Sequence, residues 1–505
     1  MDAFRYAGEW WLPERPDDVV EGELIFSPDE GLSLELVSML VLPTLLEGKG
    51  TRSFSSFAGR PLVSGRIGDG VPVTLREVSG NGQAFGQGYA TEKFEVEQAF
   101  IGVHMVNEDD VRWREVVVEY PYLMDWLVAD GKWPVLERMG ESSLFRLHSH
   151  YGLSLVHTQE LESDGEYLRT YVGGTLKYQA PIDPVYSYST EQGSLSVSDN
   201  FVVSDTSSNP QEVVISQTAV LHFRPNASMT FSEVWEQFLE PIGDLLSFST
   251  GKPNGPIGLL LYQAVGDNLQ AAHIKDVPTP LDEEATGSGV RVTLNTKFYR
   301  SRPTETMHPR AMTLHSTTAP DGNIGKLLDK WLKVRAELYP IYRLLIDNIM
   351  VENLYVSQAF PSAVQAVHSY FAARHPQAKA RTLRAKLIAL TDMRDPVSGA
   401  LFTNKVNRDE FIHQVLVAAR NINKLLAVSQ TDSEDESRPS LFSRHLYLLL
   451  QTLILRELGL DVKQRKEVIS RRRSAGLYQS SIGESGGVTI DEVDESASTS
   501  EAVLL

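Results

Sequence analysis

The residues best suited to chemistry lie between 405 and 428, which reads KVNRDEFIHQVLVAARNINKLLAV. His413, Arg420 and Lys424 are spaced so that they share one stripe of an α-helix. Histidine titrates near neutral pH and can move a proton, whereas the fixed fork of an arginine can hold a phosphate. Cleaving RNA without a metal needs such groups: a base for the 2′-hydroxyl proton, a cation for the phosphorane, and an acid for the leaving oxygen.

Two short arginine patterns occur in this stretch. In the first, four residues separate Arg408 from His413. In the second, Arg420-Asn421 is followed by Leu425, where a histidine would be needed. Patterns this short often occur by chance, and the alternative interpretation is a bundle helix with an ordinary polar surface.

The periodicity of the stretch predicts one long helix over 405–428. Apolar residues recur at steps of three and four, namely Phe411, Val415, Ala418, Ile422 and Leu425. Asp409 and Glu410 lie near the predicted N-terminal end, where acidic groups complement the helix dipole. The helix would therefore bury one face and present His413 and Arg420 on the other.

Further helices are predicted on both sides of this one. They span about 324–349, 351–374, 378–393, 440–458 and 461–472. Gly459 is a predicted C-terminal stop. The acidic stretch 429–440 is predicted to be a loop that could cover a basic surface, although disorder is the preferred interpretation.

The first part of the chain is predicted to be rich in strands. Short β-branched and aromatic runs are separated by Gly, Pro, Asp and Asn, at 22–26, 32–36, 94–105, 111–120, 153–161, 213–223, 257–265 and 290–295. A brief helix is predicted within 120–131, a longer one at 229–252 with Ser232 as its N-cap and Gly251 as its stop, and a polar loop over about 266–289. Trp10 and Trp11 are predicted to pack this domain, with base stacking as the alternative.

Charge is distributed unevenly along the chain. The net charge is −19, but residues 324–473 contain 24 Lys and Arg against 15 Asp and Glu. A basic C-terminal domain on an acidic body can bind a polyanion locally. No run approaches the roughly 18 apolar residues of a membrane span, and the start MDAFRYAGEWWLPERPDD has no signal-like pattern, so a cytoplasmic protein is expected.

Several common kinds of site lack their residues. There is no cysteine, GxxxxGK[ST] loop, HExxH pair or GxSxG elbow. His148, His150 and His157 could pair on a strand, but no carboxylate completes a metal site, so no metal is predicted. His368 lies in an apolar helical pattern and is predicted to be a hydrogen-bonded core or interface residue.

Six segments carry a family resemblance: GEWWLP (8–13), EGELIFSPDEGLSLEL (21–36), FSEVWEQFLEPIGDLLSFSTGKP (231–253), LLDKWLKVRAELYPIY (327–342), FIHQVLVAARN (411–421) and LYLLLQTLILRELGL (446–460). Together they resemble the ApeA family of bacterial anti-phage proteins, which join a β-rich N-terminal region to a C-terminal HEPN ribonuclease domain. Members of that family usually pair two HEPN domains.

The resemblance also implies site residues. HEPN nucleases carry an Arg, usually followed by Asn, Asp or His, and a His shortly afterwards, and the family context matches Arg420-Asn421 to this pair. Leu425 stands where that His is expected. His413 precedes Arg420 by seven residues, about 10 Å along the helix axis on nearly the same face, and is the predicted substitute base.

These observations predict an α+β multidomain protein. A β-rich sandwich or barrel-like region for sensing or scaffolding would occupy 1–315, an all-α HEPN helical bundle 324–473, and a disordered acidic tail 474–505. The resemblance implies an anti-phage effector that cleaves RNA, with tRNA as the expected substrate, in abortive infection. Its expected partners are RNA, a phage-derived trigger and further copies of the chain, through HEPN domains, in a homodimer or higher oligomer. No membrane and no cofactor are expected.

In this prediction Arg420, Asn421 and His413 are catalytic, and Lys424 and Arg408 bind RNA. One alternative is a degenerate HEPN protein that binds RNA or dimerises without cleaving. Another is a structural protein whose acidic β region binds a partner and whose helices only dimerise.

Overall fold

The structure is a computed structural model. It describes residues 3–38, 40, 57–85, 89–107, 111–128, 135–139, 144–148, 155–156, 168–171, 174–177, 186–205, 213–263, 289–295, 307, 311–319, 323–350, 356–379, 381–392, 394, 397, 401–402, 405–428 and 437–474. Residues 266–288 of the predicted loop 266–289 and tail residues 475–505 lie outside these ranges, as do residues 429–436 of the predicted acidic loop.

The chain divides into two compact units. The first comprises Met1–Asn353 and Ile454–Leu460, and the second comprises Leu354–Leu453 and Asp461–Leu505. The predicted limits of the β-rich region, the HEPN domain and the tail stay predictions.

The first unit is built on strands joined in one large antiparallel sheet. They are β1 (Phe4–Leu12), β2 (Arg15–Ser27), β3 (Gly31–Leu36), β4 (Phe57–Ile67), β5 (Val71–Phe85), β6 (Tyr89–Ile101), β7 (Trp113–Glu119), β13 (Tyr186–Ser189), β14 (Gly193–Asp205), β15 (Val213–Pro225), β16 (Gly258–Gln263) and β17 (Val290–Leu294). Between β7 and β13 lie β8 (Val135–Met139), β9 (Leu144–His148), β10 (Leu155–Val156), β11 (Leu168–Tyr171) and β12 (Gly174–Lys177), which form two small sheets.

Strands β1 to β6 close into a six-stranded barrel. Their order is β6-β3-β2-β1-β4-β5, and β5 pairs back onto β6 with Val73 opposite Ile101. The other strands continue the sheet from β6 in the order β17-β16-β7-β15-β14-β13. The predicted α+β class with a β-rich, barrel-like first region is therefore confirmed.

Successive side chains on a strand point alternately into and out of the barrel, and the inward-pointing ones form its core. Along β2 the buried positions occur at every second residue, including Leu24 and Phe26. Trp10 on β1 is fully buried and joins the same cluster, so its predicted packing role is confirmed. Burying each such side chain stabilises the fold by roughly 1.5–3 kcal/mol.

Several strand predictions need correction. β1, β4, β5, β13 and β14 were not predicted, although the GSLSVS start of β14 alternates polar residues with the buried Leu195 and Val197. β6 ends at Ile101 rather than 105, because Gly102 adopts a positive φ of 115°. Within the predicted strand 153–161, only Leu155–Val156 is described.

One nearly continuous helical segment follows β15. It consists of α2 (Phe231–Val234), a π-helical turn (Trp235–Leu239) and α3 (Glu240–Thr250), while a short α1 (Leu123–Val128) follows β7. The predicted cap Ser232 is wrong. Thr230 is the N-cap, since its hydroxyl accepts from Glu233 N and the Glu233 carboxylate accepts from Thr230 N. The predicted stop at Gly251 is confirmed by its left-handed backbone.

Two helices of the first unit, α4 (Ile324–Glu337) and α5 (Tyr339–Met350), replace the single predicted helix 324–349. The break at Leu338 precedes Pro340, whose ring is tolerated only in the first turn of a new helix. Trp331 on α4 is fully buried and donates from Nε1 to the Pro241 carbonyl at 2.8 Å. This bond ties α4 to α3.

A buried ionic cluster links the same helices. Arg335 donates from Nε to Asp244 at 2.8 Å and from Nη2 to Glu240 at 2.7 Å. Arg343 reaches the other oxygen of Glu240 at 3.2 Å from a more exposed position. Burial raises the pKa of Asp244 to about 6, against the opposing influence of Arg335.

The second unit is helical. Its helices are α6 (Val356–Arg374), α7 (Leu383–Leu390), α8 (Lys405–Val428) and α10 (Val462–Ser474), together with α9 (Ser437–Glu457) up to Leu453. The limits of α8 match the predicted ones, and Gly459 follows α9 with φ +87° as predicted. None of the helices built from described residues has the length and apolar character needed to cross a lipid bilayer.

The predicted limits of two helices in this unit were wrong. The predicted helix 378–393 is shorter, because Thr382 caps the start of α7 and Thr391 ends it. Residues 437–440, predicted to belong to the acidic loop, form the first turn of α9.

Candidate functional site

Helix α8 presents two of the predicted catalytic residues on its exposed side. Phe411 and Val415 are fully buried, and the Phe411 ring packs on Phe402 with centroids 5.3 Å apart. His413 and Arg420 are exposed. The period of the helix explains the difference, because Phe411 and Arg420 are nine residues apart and point in opposite directions.

His413 and Arg420 share that exposed face. Their separation of seven positions corresponds to about 10 Å along the axis and nearly two full turns. Val417 lies between them and is 41% exposed. The face can therefore offer an imidazole and a guanidinium to one extended anionic ligand.

Other predicted site residues lie where the structure gives only the backbone. Asn421, Lys424 and Leu425 belong to α8, but their side chains are outside the described part of the structure. Their predicted roles stay predictions.

Arg408 differs from the other predicted residues because it is buried. Its Nε and Nη2 donate to Asp409 at 2.9 and 2.6 Å, and its Nη1 approaches the Thr391 carbonyl at 3.5 Å. The guanidinium therefore joins the start of α8 to the end of α7. The predicted RNA-binding role of Arg408 stays a prediction. The contacts that the structure shows hold two helices together.

A second histidine contacts α8 from the opposite side. The half-buried His445 of α9 packs its ring on Phe411 at 5.8 Å. Since Phe411 points away from Arg420, His445 does not supply the histidine that Leu425 leaves missing.

His368 is hydrogen-bonded, as predicted. Its Nδ1 lies 2.7 Å from Lys386 Nζ on α7. Burial lowers the pKa of His368 and the Lys386 charge lowers it further, so the imidazole is neutral and accepts this hydrogen bond. Among the described residues no cluster of three His, Asp or Glu could hold a metal ion, and the side chains of His148, His150 and His157 are outside that part.

A cross-strand polar network on the first unit was not predicted. Ser198 lies 2.8 Å from Nε2 of His222, and Nδ1 of His222 lies 3.5 Å from Glu115. Burial opposes ionisation of Glu115, but hydrogen bonds from His222 and Arg224 keep its pKa below the usual value.

The order Ser198, His222 and Glu115 resembles the nucleophile, base and carboxylate of a catalytic triad. Glu115, however, lies closer to Arg224, at 3.1 Å, than to His222, at 3.5 Å. The network therefore acts as an ion-paired brace across three strands. Its members come from positions 115, 198 and 222, so no local motif could have revealed it.

Comparison with known proteins supports one family. The model of the family described as ApeA N-terminal domain 1 matches residues 5–278, which is more than half of the chain. No curated protein and no solved structure matches the chain. The match spans the closed barrel, its extension through β16 and the capped helices α2 and α3. The chain therefore belongs to the ApeA family of anti-phage defence proteins.

Proposed function

We propose that this chain is an abortive-infection effector whose C-terminal helices form a HEPN domain that cleaves RNA, with tRNA as the expected substrate. Membership of the ApeA family supports the defence role. The observation that carries the nuclease proposal is the exposed face of α8, where His413 and Arg420 are both accessible and follow one line along the helix.

The proposed reaction needs no metal. His413 takes the proton of a 2′-hydroxyl, the 2′-oxygen attacks the adjacent phosphorus, and the bond to the 5′-oxygen breaks. The leaving 5′-oxygen takes a proton from water, so the products are a 2′,3′-cyclic phosphate and a 5′-hydroxyl. Arg420 holds the phosphate and stabilises the charge of the transition state, and Asn421 orients it.

Purified protein incubated with tRNA in EDTA provides the test. Loss of a stabilising cation typically costs 10²–10³ in rate, and loss of a general base 10²–10⁴. We therefore expect Arg420→Ala and His413→Ala to lose about 10²-fold or more in cleavage rate. Gln414→Ala on the same helix is the control and should cleave normally, because Gln414 bonds to Glu410 within the helix. Unchanged cleavage by Arg420→Ala would refute the assignment. If only His413→Ala leaves the cleavage rate unchanged, the general base is a residue other than His413.

A second candidate function is a non-catalytic HEPN protein that binds RNA or dimerises. Leu425 in place of the expected His favours it. Introducing Leu425→His separates the two candidates: cleavage that appears only in this variant supports the degenerate protein, and robust cleavage by the wild type excludes it.

A further inference from the structure

The region that joins α6 to α7 in the second unit is strongly basic. From residue 354 to 391 the sequence has five Lys or Arg and no Asp or Glu, in a protein of net charge −19. Four of these cations lie close together near the start of α7: Lys379, Arg381, Arg384 and Lys386. We call these four residues the basic connector.

The basic connector is accessible. Lys379, Arg381 and Arg384 are exposed, and Lys386 is half-buried. Within the described part of the chain, no carboxylate lies within ion-pair distance of any of the four. Arg408 in the same unit is different, because Asp409 neutralises it.

Lys386 has a hydrogen-bond partner that carries no negative charge. Its ammonium donates to Nδ1 of His368 at 2.7 Å, and that imidazole is neutral. The contact therefore holds the side chain of Lys386, on α7, against His368 of α6, and this neutral partner does not cancel a positive charge. An anion that approaches the connector meets an ammonium that is already oriented.

The position of these cations is unfavourable for the helix itself. Thr382 caps α7 through a hydrogen bond from Ala385 N, and the first turn contains no acidic residue. Cations near the positive end of a helix dipole destabilise the helix, most strongly at low ionic strength. The same potential favours a bound anion, because the dipole and the side chains then act together.

We infer that the basic connector binds the phosphodiester backbone of a folded RNA and anchors the substrate beside the α8 face. This inference rests on the proposed function for the identity of the polyanion. α7 packs on α8 within the second unit, so one RNA can contact both helices. The connector positions RNA, whereas His413 and Arg420 perform the chemistry.

Binding to a 2′-O-methyl stem-loop RNA, measured by fluorescence anisotropy across a salt series, tests the inference without cleavage. The test variant carries Lys379→Gln, Arg381→Gln and Arg384→Gln. Each phosphate contact contributes about 0.7 (single strand) to 0.9 (duplex) to the slope of log Kd against log salt, so loss of three contacts should lower that slope by about 2 to 3. It should also bind at least roughly tenfold more weakly at low salt.

A charge-matched control removes the same three positive charges from the first unit. Arg5→Gln, Arg15→Gln and Lys93→Gln each break an exposed ion pair, with Glu23, Asp18 and Glu35 respectively. This control should bind RNA nearly as the wild type does. Equal weakening in both variants would show that net charge alone matters and would overturn the inference.

Cleavage of unmodified RNA separates this inference from the proposed function. The connector variant should raise KM and leave kcat unchanged, because anchoring acts equally on substrate and transition state. Connector-dependent binding without cleavage would support the inference and refute the nuclease. RNA cleavage by the connector variant with an unchanged KM would support the nuclease and refute the anchoring role of the basic connector. No RNA binding by the wild type at low salt, or tighter binding of duplex DNA of equal length, would overturn the inference.

Discussion

Replacing Arg335 with methionine should destabilise the first unit by about 3–5 kcal/mol. The side chain is only 9% exposed and forms ion pairs with both Asp244, also 9% exposed, and Glu240. Methionine preserves much of the packing volume but removes the ion pair of the buried Asp244 carboxylate, whereas Glu240 keeps its pair with Arg343. Removing one partner of a buried ion pair is costly for this reason, even where the intact pair contributes little net stability.

Arg343→Met is the matched control, because Arg343 binds the same Glu240 carboxylate at 3.2 Å from a side chain that is 39% exposed. Water and salt screen such a pair, so its loss should cost less than about 1 kcal/mol. Each arginine also has a second partner, Asp244 for Arg335 and Asp347 for Arg343, at 2.8 and 3.1 Å. Both variants therefore lose one positive charge and one ion pair to Glu240, and they differ in the burial of the lost side chain.

Urea denaturation of the full chain, followed by tryptophan fluorescence, measures both variants. All seven tryptophans lie between residues 10 and 331, so the signal reports on the first unit. The midpoint of Arg335→Met should fall well below that of Arg343→Met at an unchanged m-value. Adding Glu240→Gln and Asp244→Asn to Arg335→Met should restore part of the loss. Equal midpoints for the two single variants, or no recovery in the triple variant, would refute the argument from buried charge.

Three further measurements test the fold. Thr230→Ala should cost about 1 kcal/mol through loss of the helix cap, whereas Ser232→Ala should cost less than about 0.5 kcal/mol; the reverse order would restore Ser232 as the cap. Gly65→Ala should destabilise the barrel by about 1–3 kcal/mol, because a Cβ there overlaps the buried indole of β1, while Gly258→Ala has ordinary clearance and should be nearly neutral; similar thermal midpoints would contradict this. Burial raises the pKa of Asp244 from 3.8 to about 6, so the folded state holds its proton more tightly and stability falls as pH rises from about 4 to 6. Asp244→Asn should lose this component in thermal melts across that range, and a wild type that gains stability relative to the variant as pH rises would refute the raised pKa.

Features that depend on neighbouring residues were predicted well. The limits of α8 follow from apolar residues at steps of three and four, a pattern that exists within the helix itself. Gly251 and Gly459 were predicted as stops because glycine adopts the left-handed backbone without steric cost, and both do so in the structure. The opposite placement of Phe411 and Arg420 follows from the same helical period.

Features that depend on distant residues were not predicted. The N-cap is an exception, because the Thr230 and Glu233 pair of the capping box is local and present in the sequence, whereas Ser232 was predicted. The single predicted helix 324–349 proved to be two helices, which allows Arg335 and Arg343 to converge on Glu240. In the sequence those arginines are ordinary polar positions of an amphipathic pattern.

Local patterning was sufficient to predict the β-rich first region, the helical second region and the exposed His413 and Arg420. Hydrophobic periodicity encodes which face of an element is buried, and that information is contained in a few consecutive residues. Only the tertiary structure revealed closure of the barrel by β5 on β6, burial of Arg408 against α7, and the contact that holds Lys386 on His368. Each of these joins residues from different elements, and their energies depend on burial and geometry that no short stretch of sequence contains.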